Sequence, residues 1–246
     1  MLLLTFIFGL IIGSFLNVLI YRIPRRESVI WPGSHCTACG HKLTAFELVP
    51  LFSFLLLKGK CRYCRNEISS LYPAVELITA ITFFLIMLKG GLTVWTVAGL
   101  ILASILIVAA FTDITAGLIP DLLTYPGLII GLILSYFTIG VKLALIGSIG
   151  FALLFFLIVV VTKGGMGGGD VKLAAVMGAF LGPAGSFMVF VISSLLAFMW
   201  VIPLLVKRKA TRKTAIKFGP FLALAAISVY IYGAEILSLY LAFLGI

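Results

Sequence analysis

Hydrophobic residues run along this chain in long blocks separated by short polar turns. Eight candidate helices lie at about 2–21, 71–88, 92–112, 122–139, 143–162, 171–183, 185–206 and 219–241. Roughly 17–25 apolar residues cross ~30 Å of hydrocarbon, so the pattern predicts an all-α polytopic membrane protein of about eight transmembrane helices. The first block is expected to stay as a helix rather than be cleaved as a leader. Its basic residues, Arg22, Arg25 and Arg26, follow the apolar run, and Ser14 and Asn17 inside it suit packing. Two blocks fit poorly. Residues 171–206 are too long for one span, yet splitting them at "GPAG" (182–185) leaves the earlier helix only ~20 Å. The glycine-rich turn before it is therefore expected to dip below the membrane surface, where irregular backbone is tolerated if protein or a wet cavity surrounds it.

Composition agrees with the pattern: of 246 residues, 63% are hydrophobic and 11% charged, with mean hydropathy +1.28. Charge then orients the chain. With eight spans and both termini outside, sixteen of the eighteen Lys and Arg fall in the loops 22–70, 163–172 and 207–217. Only Lys89 and Lys142 remain on the other face. Basic loops mark the cytoplasmic side. The net charge of +10 is thus accounted for by topology and anionic lipid head groups, and calls for no nucleic acid.

Only the loop 22–70 is large enough to fold on its own, and it holds every cysteine, in "HCTACGHKL" and "GKCRYCRNE". Cys36 and Cys39 form one C-x2-C, Cys61 and Cys64 the other. Two such knuckles complete a tetrahedral thiolate site for a structural Zn2+. Two disulfides are the alternative, disfavoured by a cytoplasmic placement where thiols stay reduced. His35 and His41 are alternate ligands that four sulfurs make unnecessary. The chain accordingly divides into a first helix (1–21), a cytoplasmic zinc-binding domain (22–70) and a seven-helix domain (71–246).

Eight acids remain for chemistry. Glu27, Glu47 and Glu67 belong to the zinc loop, and Glu235 suits an interfacial position. Glu76, in "YPAVELITA", is an intramembrane acid, for which function and helix packing are equal readings. Asp121 follows Pro120 at a helix start, where its charge suits the dipole. Asp113 instead nears a helix C-terminus, the unfavourable end. Asp170 ends "GGMGGGD". Parity puts Asp113 and Asp170 on one side of the membrane, where two carboxylates sharing a proton make an acid–base pair. Gly167, Gly168, Gly169 and Lys172 are candidates for a substrate-facing loop, its glycines keeping the backbone extended; Glu76 and Asp121 are candidate supporting acids. The glycines match neither phosphate-binding pattern.

Together, G-x-G-D at 167–170, "FTDITAGLIPD", "GSFLNVLIYRIP", the tetracysteine loop, "YPAVE" and "KFGPFLALAA" resemble bacterial type IV prepilin peptidases over nearly the whole chain. The resemblance implies an aspartic endopeptidase of the bacterial cytoplasmic membrane that removes the basic leader of type IV pilins or pseudopilins after a glycine. It also implies N-methylation of the new terminus with S-adenosylmethionine, although no residues here spell a site for that cofactor. It makes Asp113 and Asp170 the catalytic pair. Thr37 is a small departure, since proline often follows the first cysteine in the family. Two other readings stand beside it: a presenilin-like G-x-G-D protease, and a non-enzymatic membrane scaffold or transporter with a zinc-ribbon loop. The sequence selects no oligomeric state.

Overall fold

A computed structural model describes residues 1–163, 165–206 and 217–244. The helices are α1 (Leu2–Arg22), α2 (Phe52–Leu56), α3 (Leu71–Gly90), α4 (Val94–Ala116), α5 (Asp121–Ser135), α6 (Val141–Val161), α7 (Gly168–Val206) and α8 (Gly219–Leu244). No strand occurs among the described residues; two isolated bridges, His35 with Lys42 and Lys60 with Glu67, are the only extended pairing. Six helices are long and apolar enough to cross a membrane, and α5 is a shorter apolar one. Most of the basic loop at 207–217 lies outside the described residues.

The chain forms two compact units, Met1–Leu92 and Thr93–Ile246. In the first, α3 packs on α1. Lipid supplies no hydrophobic drive between helices, so close backbone approach has to bind them. Gly9 and Gly13 provide it: a Cβ on either would lie 2.6 Å from Ala80 Cα or 2.7 Å from Glu76 Cα. Leu16 and Ile20 continue the buried stripe. Asn17 donates from Nδ2 to the Tyr72 carbonyl at 3.0 Å, which closes one end of the pair. Below it Arg22 is buried, donating to the Ser28 and Gly33 carbonyls at 2.9 and 3.3 Å, and so organises the start of the cysteine loop.

In the second unit Leu102, Leu106, Phe155, Leu173, Met177 and Leu222 form a common core drawn from α4, α6, α7 and α8. The helix α7 is broken at Gly182 (φ 66°, ψ −175°), just before Pro183. Glycine tolerates this left-handed φ, and proline cannot continue the hydrogen-bond ladder. Gly147 of α6 lies against Gly178 and Gly182. Farther along α6, Phe155 meets Phe190 with ring centroids 6.2 Å apart. An unbroken α7 would carry Phe190 ~12 Å in the opposite direction, so the chain doubles back at Gly182. The limb 168–181 is then ~21 Å long.

Two boundaries differ from the sequence pattern in a way that bears on the site. The helix α4 runs past Asp113 to Ala116, stopped by Gly117 in the left-handed region (φ 67°), whose N–H reaches the Asp113 carbonyl at 2.9 Å. And α7 begins at Gly168 rather than 171, so Gly168 and Gly169 are helical. The expected extended backbone there is confined to the turn before them.

Candidate active site and metal centre

The two cysteine knuckles are copies of one backbone motif. In the first, Cys36 N–H donates to the His41 carbonyl (2.9 Å), Gly40 N–H to Cys36 (2.9 Å) and Leu43 N–H to Ser34 (2.9 Å). In the second, Cys61, Arg65 and Ile68 N–H donate to Asn66, Cys61 and Gly59 at 2.8, 3.0 and 2.8 Å. The tight turn needs a positive φ after the second cysteine: Gly40 supplies it at 71°, and Arg65 adopts it at 61°.

All four cysteines are free, and their sulfurs lie within 4.8 Å of one another. Cys36 and Cys64 are 3.9 Å apart, close to the ~3.8 Å edge of a tetrahedron with metal–sulfur bonds of ~2.3 Å. The donor set therefore fits a metal ion. Backbone N–H groups of Cys39 and then Ala38 hold the Cys36 thiol down to about 7. At Cys64 the Asn66 N–H also favours the thiolate. Burial and the sulfurs of Cys61, Cys39 and Cys36 outweigh it and push this thiol up to about 11. Four crowded sulfurs become jointly anionic only around a cation. The histidines stand aside: His35 Nδ1 pairs with the Gly33 carbonyl at 3.0 Å, and the His41 ring lies 3.5 Å from that of Tyr63.

Two acids tie down the loop, one within it and one in α3. Glu47 accepts from Thr44 N–H and Oγ1, both at 2.8 Å, and Thr44 holds its carboxyl below the usual range. Glu76, buried in α3, accepts the Leu51 N–H at 2.9 Å and so ties the loop to the helix.

The aspartates lie in the second unit. Asp113 and Asp170 are 9% and 7% exposed, close enough for the charge of one to act on the other. Asp113 Oδ2 accepts the Gly219 N–H at 3.0 Å. Asp170 Oδ2 neighbours Gly167, while its Oδ1 is buried without a hydrogen-bond partner among the described residues. An unpaired buried oxygen costs ~1–3 kcal/mol.

The glycines before Asp170 have different reasons. A Cβ on Gly169 would lie 2.9 Å from Ile119 Cβ, so α7 can start beside the turn 117–120 only as glycine. A Cβ on Gly167 would lie 3.4 Å from Asp170 Oδ2, and one on Gly168 would meet nothing within 4 Å. Lys172 Nζ pairs with Asp121 Oδ1 at 2.6 Å, both half-exposed, and lies 5.3 Å from the Tyr125 ring centre. Asp121 is thus neutralised on the rim. Gly219 and Lys217 belong to the site without having been singled out. Their signal in the sequence is faint: a glycine directly before a proline at the start of the last apolar block.

Residues 7–90 match the bacterial peptidase A24 N-terminal domain, and residues 100–202 match the type IV leader peptidase family. A prepilin leader peptidase/N-methyltransferase of Bacillus subtilis is 36% identical over 98% of both chains. One from Pseudomonas aeruginosa is 34% identical over 98% of this chain and 93% of its own. No solved structure matches. The chain belongs to the type IV leader peptidase family, and each of the two matched regions falls within one of the two compact units. It is a multi-pass membrane protein.

Proposed function

We propose that the protein is an aspartic endopeptidase of the bacterial cytoplasmic membrane. It removes the leader from type IV prepilins or pseudopilins after a glycine and methylates the new N-terminal amine. The observation that carries the peptidase reading is the pair of buried carboxylates, Asp113 and Asp170, one of which holds an oxygen without a partner among the described residues. In this reading one ionised aspartate takes a proton from water, and the water oxygen adds to the scissile carbonyl carbon. Its protonated partner gives its proton to the carbonyl oxygen. The first aspartate then passes the captured proton to the amide nitrogen, the C–N bond breaks, and a diol proton returns to the second. Both groups end as they began.

Charge supports the sidedness of this reading: the loops richest in Lys and Arg are those that carry the cysteine domain and adjoin both aspartates, and basic loops favour the cytoplasmic face. Cys36, Cys39, Cys61 and Cys64 would hold Zn2+, which ties the two knuckles together; with four sulfurs it has no open position and its role is structural. Methylation rests on the relatives, and no described residue is assigned to S-adenosylmethionine.

Co-expression with a prepilin, scored by mass spectrometry of the pilin N-terminus, tests the pair. Asp113→Asn and Asp170→Asn should each abolish leader loss while folded protein accumulates. Full processing by both variants would falsify the dyad.

A further inference from the structure

The sequence poses a difficulty at Asp113. Its carboxylate sits one turn before the end of α4, the end of the helix dipole that disfavours negative charge. The start of α8 resolves it. Gly219 N–H donates to Asp113 Oδ2 at 3.0 Å, and Gly219 is the first residue of α8, so the positive end of that helix faces the carboxylate. Lys217 Nζ donates to the Ile114 carbonyl at 2.5 Å. Its ammonium thereby neutralises the end of α4 and acts on the neighbouring Asp113 charge. Phe218 between them meets Phe155 of α6 and Phe221 of α8 with tilted rings, centroids 6.2 and 6.5 Å away, which holds the segment against α6. The approach requires glycine: a Cβ at 219 would lie 2.8 Å from Asp113 Oδ2 and 3.1 Å from Asp113 Cβ.

Asp170 is held from another side: it lies in the first turn of α7, whose positive end suits its charge, and its Oδ1 has no hydrogen-bond partner among the described residues. The closest cation along its own helix, Lys172, is taken by Asp121 on the rim.

We infer that Lys217, Phe218 and Gly219 form a third part of the active site, which positions the Asp113 carboxylate from the start of α8. The inference rests on the peptidase reading above and adds positioning residues to it. Lys217 and Gly219 are positioning residues, since they act through Asp113.

The test compares Lys217→Met, Lys217→Arg and Gly219→Ala in the full-length protein, with kcat and KM measured for prepilin cleavage. Lys217→Met should lower kcat at least tenfold with KM within twofold, and Lys217→Arg, which keeps the charge and the donor, should restore most of it. Gly219→Ala should lower kcat further. Lys217 is exposed, so its variants stay informative even if Gly219→Ala fails to fold. The inference is overturned if Lys217→Met keeps the parent kcat, if only KM rises, or if Lys217→Arg is as impaired as Lys217→Met. Processing by Asp113→Asn would instead remove the dyad itself, so the two failures are distinguishable.

Discussion

Gly168 and Gly169 are adjacent glycines in the first turn of one helix, and they should respond in opposite ways to alanine. At Gly169 the new Cβ would lie 2.9 Å from Ile119 Cβ, 3.4 Å from Ile119 Cγ1 and 3.5 Å from the Ile119 amide nitrogen. Ordinary carbon contacts lie at about 3.5–4.0 Å. The contact atom is a Cβ beside backbone, so no rotamer change relieves it. The turn 117–120 or the start of α7 must move by roughly 0.5–1 Å, at about 1–3 kcal/mol for overpacking. Alanine's better helix propensity returns at most ~1 kcal/mol. The displaced turn joins Asp113 to Asp121, and the displaced helix carries Asp170. A shift of ~1 Å in reacting groups costs on the order of 100-fold in rate. Gly169→Ala should therefore lose about 1–2 kcal/mol of stability and about 10–100-fold in cleavage rate. Gly168→Ala, with open space around its Cβ, should fold with undiminished stability. Thermal unfolding of both full-length variants in detergent, beside prepilin cleavage rates, measures the contrast. A Gly169→Ala protein as stable and active as the parent would refute the packing argument, as would an equal loss of stability in Gly168→Ala.

Two further outcomes concern the metal centre. Cys36→Ser, or a strong chelator applied to the native protein, should remove one zinc per chain and open the loop 22–70 to limited proteolysis. Metal analysis showing an unchanged zinc content would sink that assignment. Arg65→Gly should stabilise the second knuckle by about 1 kcal/mol, because it relieves a left-handed backbone that Gly40 occupies without strain in the first. Slower zinc loss to a competing chelator would register the gain; faster loss would show that the arginine side chain matters more than its backbone.

Much of this protein is legible in its sequence because the decisive forces are local or set by the solvent. A run of some twenty apolar residues has one stable fate in lipid, so the helices follow from hydropathy alone. A C-x2-C turn converges its own two sulfurs by short-range hydrogen bonds, so the four-cysteine site follows from spacing. Asp113 and Asp170 stand out because carboxylates amid apolar sequence need a reason. What local sequence cannot carry is which surfaces meet across long separations. That α3 packs on α1 depends on Gly9 and Gly13 lying under Ala80 and Glu76, and it joins α3 to the first unit. That Gly169 answers to Ile119, rather than to a need for extended chain, appears only once the turn 117–120 lies against α7. The charge of Asp113, unfavourable on its own helix, is balanced by the start of another helix more than a hundred residues later. Hydropathy and spacing are read along the chain, whereas that balance exists only across it.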